Sequence, residues 1–307
     1  MRLLKRLLFK LMFFIIFIVF IFKVINVFSP KKTILPNSAM KIYINASDEI
    51  SKDKLQVNWK YVAALDAVNI DNDFSKTNIN NAKELASEFI EINNTGSKFK
   101  NSNYKLLSLE EVMNKLSYDN KKKEKTYKYL DTLKNRYLVD VTENKINFIK
   151  ELTPVAINIY KNYDILPSVA IGQAILESSW GQSDLSADYN NLFGIKSTKS
   201  WKGKTVKMKT SENYNDTIVA TFRAYASKKE SLDDYAQFLK NNKRYKENGV
   251  FKAVDYISQA KSIDKAGYST KQDETGKNMY ADLLTEIIKE YNLQLIDSMI
   301  QEDFFQN

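Results

Sequence analysis

The sequence predicts an α+β protein, mostly helical, with one short β-hairpin. Three observations carry this reading. Across most of the 307 residues, apolar side chains recur at steps of three and four. The stretch Thr205 to Tyr225 changes to a two-residue period and is rich in β-branched and aromatic residues. The segment Met1 to Phe28 is apolar behind a basic flank and stands apart from the rest.

Composition narrows the chemistry. The chain has no Cys, so it has no disulfide, thiolate nucleophile or Cys-ligated metal. It has no His either, which excludes a Ser-His-Asp triad, a Cys-His dyad and the commonest zinc sites. Acid–base work falls to Asp, Glu, Tyr or Lys, and no metal or organic cofactor is implied. The formal net charge is +9 and the pI about 9.2. A basic balance suggests an acidic partner, such as anionic lipid or the anionic polymers of a bacterial wall. No nucleic-acid motif is present.

Taken in order, Arg2, Lys5, Arg6 and Lys10 precede the wholly apolar run Leu11 to Phe22, and Val24 to Phe28 extends it past Lys23. With Lys10 and Lys23 snorkelling, residues 1–28 have the length of a transmembrane signal anchor. The positive flank places the N-terminus in the cytoplasm and the rest of the chain outside. The exit I-N-V-F-S-P-K-K lacks a small-x-small cleavage pattern, so the expectation is an uncleaved, single-pass cell-membrane protein facing the wall.

Residues 29–54 are polar, carry Pro30 and Pro36, and read as a linker. Residues 55–138 read as a small helical spacer. Trp59 to Val68 suggests one helix and Ala82 to Ile92 another. Ser108 with Glu111 forms a capping box that starts a third, and Lys121 to Tyr137 suggests a fourth. Residues 142–293 read as the catalytic domain, with Pro154 starting or kinking a turn, and 294–307 as a frayed tail.

The stretch Pro167 to Lys196 looks like a site. Pro167 suits a first helical turn, and Ala170, Gln173, Ala174 and Glu177 then share one face. Gly181 and the polar residues after it stop the helix soon after Glu177. A helix C-terminus disfavours a nearby carboxylate, and Trp180 could cover the carboxyl. Both effects raise a carboxyl pKa, as a general acid near neutral pH requires. Val206 and Met208 alternate with polar residues, and Thr217 to Tyr225 supplies a second strand. S-E-N-Y-N-D between them makes a hairpin with Glu212 near its tip or at the end of its first strand. Glu212 is the candidate second carboxylate; Asp184 and Asp188 lie closer to Glu177 in sequence and are the fallback. Later helices are expected after the Ser227/Glu230 capping box, around Ala253 to Ile257, and over Asn278 to Tyr291.

A-I-L-E-S-S-W-G followed by N-N-L-F-G-I-K resembles the signature of family 73 glycoside hydrolases, the glucosaminidase domain of bacterial autolysins and flagellar rod hydrolases. The resemblance continues through K-T-S-E-N-Y, T-F-R-A-Y, S-L-D-D-Y-A-Q-F-L and A-G-Y-S-T, from Thr142 to Leu293. It implies a lysozyme-like catalytic domain that cleaves β-1,4 bonds in peptidoglycan, usually after N-acetylglucosamine. It also implies Glu177 as the first acidic residue, Glu212 as the second, and Tyr268 near the cleft.

In that scheme Glu177 protonates the leaving oxygen, and Glu212 acts as base or electrostatic stabiliser. Carboxyls about 5–5.5 Å apart suit retention and about 6.5–9.5 Å suit inversion; substrate-assisted attack by the 2-acetamido group is the exception. Asn190, Asn191 and Phe193 would shape the groove floor. Trp180, Tyr225 and Tyr268 offer surfaces for sugar rings, with core packing as the rival role for each. A lytic transglycosylase that needs Glu177 alone, and a catalytically silent wall-binding scaffold, are the alternatives. Glycoprotein glycans are a further substrate acted on in the family.

Overall fold

A computed structural model describes residues 35–93, 102–134, 142–212, 216–270 and 272–306, and residues 38–307 form one compact unit. The expected anchor over 1–28 lies outside the described residues. Among the described residues no helix is long and apolar enough to cross a membrane.

The first helices are α1 (Asn37–Ser51) and α2 (Trp59–Asn69). In place of the polar linker expected over 29–54, α1 buries Tyr43, Ile44 and Ala46 on one side. The polar residues between them hid that stripe. Helix α2 is buried almost all round and packs on α3 (Ile79–Ser87) and α5 (Asn120–Lys134). The helix expected through Ile92 ends at Ser87. Ile90–Ile92 is instead a strand, β1, antiparallel to β2 (Tyr104–Leu106). Helix α4 (Leu109–Lys115) starts at the expected Ser108/Glu111 capping box.

Hydrogen bonds tie this N-terminal part to the rest of the compact unit. Trp59 Nε1 donates to Asn292 Oδ1 over 3.0 Å, and the Gln56 N–H donates to Gln301 Oε1 over 2.6 Å. Tyr256 Oη donates to Asp48 Oδ2 over 2.7 Å, and Lys289 Nζ lies 3.2 Å from the same oxygen. Left unpaired, each buried polar group would cost about 1–3 kcal/mol.

Helix α6 (Glu143–Tyr163) runs straight through Pro154, where a turn was expected. Phe148, Leu152, Ala156 and Ile159 are buried on both sides of the proline, so packing continues the helix past one missing donor. Next come α7 (Pro167–Ser178), α8 (Asp184–Tyr189) and the hairpin of β3 (Thr205–Glu212) with β4 (Asp216–Arg223). Its register runs from Thr205 opposite Arg223 to Glu212 opposite Asp216. Helices α9 (Lys228–Asn241), α10 (Lys243–Glu247), α11 (Tyr256–Lys265) and α12 (Tyr280–Glu290) follow.

In place of the expected frayed tail, Gln294–Gln306 is helix α13. Its buried residues are polar: Gln294, Asp297, Ser298 and Gln301. Their spacing of three and four makes a helical stripe that an apolar pattern search passes over.

Helix α7 is the axis of the unit. It packs against α6, α11, α12 and α13, and every residue from Pro167 to Ile175 is buried. Gly172 sits where α12 crosses; a Cβ there would meet Leu284 Cδ1 at 2.9 Å and Ile288 Cγ1 at 3.1 Å. Burying Leu284 and Ile288 against it contributes roughly 1.5–3 kcal/mol each.

Candidate active site

The start of α7 is capped from a distance. Pro167 needs no partner, the Leu166 N–H donates to Gln259 Oε1 over 2.7 Å, and the Ser168 N–H donates to Asp297 Oδ1 over 2.9 Å. The Ser168 hydroxyl donates to Asp297 Oδ2. Asp297 thus does from α13 what an N-cap residue does locally. Burial pushes its carboxyl up to about 7, against the hydrogen bonds from Ser168, and the Asp255 charge adds to the rise.

The end of α7 is sharp. Ser179, Trp180 and Gly181 all have positive φ, at 50°, 64° and 75°. The Ser178 hydroxyl donates to the Ala174 carbonyl over 2.5 Å and accepts from the Gly181 N–H over 2.7 Å. Two consecutive non-glycine residues in the left-handed region are costly and hold only where surroundings impose them.

Glu177 lies two residues before this break. Its side chain is open to solvent at the helix end, yet protein crowds the carboxyl. That desolvation raises its pKa, opposed by the hydrogen bond from Tyr280. Tyr280 Oη donates to Glu177 Oε1 over 2.7 Å and accepts from Gln173 Nε2 over 2.8 Å. Gln173 Oε1 accepts from the Tyr235 hydroxyl. The chain Tyr235, Gln173, Tyr280, Glu177 therefore runs in one donor direction and is buried up to the carboxyl.

Tyr268 joins this group. Its ring centroid is 5.1 Å from that of Tyr280, and burial followed by the Glu177 charge pushes its hydroxyl pKa well up. Phe193 stacks on Tyr235 with centroids 4.0 Å apart. The structure thus brings Glu177, Tyr268 and Phe193 into one locality.

The other candidates are engaged elsewhere. Trp180 packs edge-on against Phe148 and Tyr291, at 6.0 and 4.5 Å between centroids, with Lys145 Nζ 4.7 Å from its ring centre. These contacts are with α6 and the end of α12, not with the Glu177 carboxyl. Asn190 ends α8 with φ 54° and donates to the Tyr225 carbonyl over 3.2 Å. Asn191 is buried, and its amide is committed to backbone. Nδ2 donates to the Ile195 and Arg223 carbonyls over 3.1 and 2.8 Å, and Oδ1 accepts from the Ile195 N–H over 3.1 Å. Tyr225 is buried and donates to Asp234 Oδ2 over 2.5 Å, an oxygen that Arg223 Nη1 also reaches at 2.6 Å. These residues fasten the hairpin base to the helices. Glu212 is the last residue of β3, at the far end of the hairpin from that base. Asp184 and Asp188 are exposed on α8.

Sequence reasoning gives Tyr280 and Tyr235 no part in the site and places Gln173 only on the Glu177 face of its helix. The signal was a Gln one turn before Glu177 in an otherwise apolar helix, since a buried amide needs partners. Among the described residues no group of three or more His, Cys, Asp or Glu could hold a metal ion.

Residues 153–293 match the glucosaminidase family, described as mannosyl-glycoprotein endo-beta-N-acetylglucosaminidase. This stretch carries a domain of the glucosaminidase type, with Glu177 as the carboxylate of its buried helix α7. The family match is to residues 153–293 and does not extend to the rest of the chain. The exo-glucosaminidase LytG of Bacillus subtilis is 39% identical over 168 residues, 52% of this chain and 56% of LytG. The peptidoglycan hydrolase FlgJ of Vibrio parahaemolyticus is 35% identical over 147 residues, 46% of each chain. Among solved structures, the catalytic domain of the autolysin Auto from Listeria monocytogenes is 30% identical. That match covers 58% of this chain and 98% of that one, with a TM-score of 0.44. The chain spans about half the length of these curated relatives.

Proposed function

We propose that the protein is a peptidoglycan hydrolase that cleaves β-1,4 bonds after N-acetylglucosamine, as an endo-β-N-acetylglucosaminidase. The observation that carries this reading is the Glu177 carboxyl at the open end of a buried helix, with its pKa raised and one oxygen engaged by Tyr280. Because Tyr280 donates to Oε1, the proton of the neutral acid sits on Oε2, the oxygen left to face a leaving group. A carboxyl kept neutral near working pH supplies roughly 10²–10⁴-fold as a general acid. The Gln173 amide fixes the sense of this bond, because Tyr280 accepts from it and so must donate to Glu177.

Glu212 is the second carboxylate in this scheme, base or stabiliser of the oxocarbenium-like centre. Support comes from its place in K-T-S-E-N-Y on a hairpin beside the helical body. Phe193 and Tyr268 are the sugar-facing aromatics, because they gather around the Glu177 locality. The run Leu11 to Phe22 behind Arg2, Lys5 and Arg6 supports a single-pass anchor with the catalytic domain on the wall side.

The test is mass spectrometry of purified peptidoglycan digested by the full chain, with Glu177→Gln and Glu212→Gln alongside. Reducing N-acetylglucosamine ends, lost in Glu177→Gln and much reduced in Glu212→Gln, are expected. Anhydro-muramic ends with Glu212→Gln still active would replace this reading with a lytic transglycosylase. Reducing muramic ends would replace it with the activity for which probable N-acetylmuramidases of Lactococcus lactis, 36% identical over 154 residues, are named.

A further inference from the structure

The described residues include two arginines, and the fold treats them differently. Arg223 Nη1 lies 2.6 Å from Asp234 Oδ2, and both side chains are largely buried. Arg244 on α10 is exposed and meets no carboxylate among the described residues. What holds it is neutral. Nη1 donates to the Gly267 carbonyl over 3.1 Å, and Nη2 donates to the Tyr245 hydroxyl over 2.8 Å. Its guanidinium carbon lies 4.8 Å from the centre of the Tyr245 ring.

The guanidinium is therefore held in place without being neutralised. A long side chain left loose on a surface loses rotamer freedom when it takes a ligand; one already held loses little. Each of the two bonds uses one N–H. The rest of the planar fork stays available, in a shape that matches a carboxylate through parallel hydrogen bonds.

The position of Arg244 ties it to the acid. Gly267 turns the chain after α11 with φ 73°, and Tyr268 follows it. The Tyr268 ring lies 6.4 Å from that of Tyr245, which is fully buried, and 5.1 Å from that of Tyr280, which donates to Glu177. Contacts thus run unbroken from Arg244 through Gly267, Tyr268 and Tyr280 to Glu177. Burial and the Glu177 charge push the Tyr268 hydroxyl pKa well up, and the Arg244 charge pulls it back. One tyrosine feels both an exposed acid and an exposed, fixed cation.

We propose that Arg244 is a specificity-determining residue that binds a free carboxylate on the peptide arm of the muramic acid beside the cut bond. The inference rests on the peptidoglycan reading above and names the part of that polymer the site recognises. Peptidoglycan strands differ from chitin by a peptide on every second sugar. In intact strands the peptide occupies the lactyl carboxyl, so the anion within reach is the peptide's own carboxylate. A cation fixed beside the acid reads that difference. Arg244 stands outside the proton path from Tyr235 to Glu177, so its contact is the same in ground and transition states. It lowers KM and leaves kcat to Glu177 and Tyr280.

The experiment titrates the full chain, carrying Glu177→Gln so that the ligand stays intact, with uncross-linked glycan strands that bear peptide stems. The same strands with their carboxyls amidated are run beside them, and both titrations are repeated with Arg244→Gln and Arg244→Lys added. Affinity for the free-carboxylate strands should exceed that for the amidated strands by about tenfold or more, as a charge-assisted bidentate pair allows. With Arg244→Gln the two affinities should agree within about twofold, and Arg244→Lys, which keeps the charge but not the fork, should fall between. Rates of the chain with Glu177 intact should show the same discrimination in KM, with kcat for the two strands within about twofold. Equal affinity for both strands before any change at Arg244 overturns the proposal. So does discrimination that persists in Arg244→Gln, whether or not overall affinity falls, because Arg244 would then only hold Gly267 and Tyr268. Absence of cleavage of these strands and of chitooligosaccharides by wild type would sink the hydrolase reading, while the titrations still decide the carboxylate contact.

Discussion

Tyr280 Oη and Glu177 Oε1 lie 2.7 Å apart, 103 residues apart in the chain, and their bond has a fixed direction because Gln173 Nε2 donates to the same hydroxyl. The bond steadies the ionised form of Glu177, while crowding by protein favours the neutral form and wins. Tyr280 therefore sets where the acid titrates and which oxygen carries its proton.

Removing that donor has two readable effects. In Tyr280→Phe the proton is no longer confined to Oε2, and kcat should fall roughly 10- to 100-fold, from the about 1.5–3 kcal/mol of a hydrogen bond to a charged group. A general acid works while protonated, so activity is lost as pH rises through its pKa. Without the Tyr280 bond that pKa rises further, and the alkaline limb of the rate profile should move to higher pH. An unmoved limb would show that Tyr280 does not act on Glu177.

Asp297 gives a stability signature instead. Its carboxyl has an ordinary value of 3.8 and is pushed up to about 7 by burial. Between about pH 4 and pH 7 the unfolded chain has released this proton and the folded chain holds it. Stability contributed by the neutral form is thus present at low pH and lost as pH rises through that window, at no more than about 1.4 kcal/mol per pH unit. Asp297→Asn keeps an acceptor for the Ser168 N–H and does not titrate. The drop in Tm from pH 4.5 to 7.5 should be smaller in the variant; equal drops would mean Asp297 does not titrate in that range.

Asn191→Ala separates a structural clamp from a sugar contact. The change strands the Ile195 N–H and removes donors from two carbonyls. A loss of about 2–4 kcal/mol is expected, a fall in Tm of roughly 5–10 °C. KM measured well below the transition should stay within about twofold of wild type. A tenfold rise in KM with unchanged Tm would assign the amide to substrate.

Gly172→Ala should destabilise by roughly 1–3 kcal/mol, although alanine normally gains about 1 kcal/mol in a helix interior. The added methyl would press on Leu284 and Ile288 from 2.9 and 3.1 Å. Chemical denaturation midpoints decide the sign.

Much of this was legible in the sequence, for reasons tied to particular residues. Glu177 stood out because a charged residue ended an apolar helix, and the hairpin because Val206 and Met208 changed the period. Ser108 and Ser227 marked helix starts, and the side chain of each accepts from the N–H three residues on. What stayed hidden depended on contacts distant in sequence. Tyr280 looks like any aromatic on a helix face until Gln173 and Glu177 are folded beside it. Helix α13 was missed because its inward stripe is Gln, Asp and Ser, and the partners of Asp297 and Gln301, which are Ser168, Gln56 and Val254, lie far off in sequence. The Asn190–Asn191 pair looked like a ligand contact because nothing in sequence shows that Ile195 and Arg223 carbonyls would claim an amide.

The capping of α7 by Asp297 has a consequence for biosynthesis. The partner of Ser168 lies 129 residues downstream. A nascent chain emerging N-terminus first exposes the Glu177 helix long before α13 exists to complete it. Native pairing at such separation forms late. A chain built this way is unfinished while it is translated, and the helix that carries Glu177 receives its cap only once Gln294–Gln306 has been made.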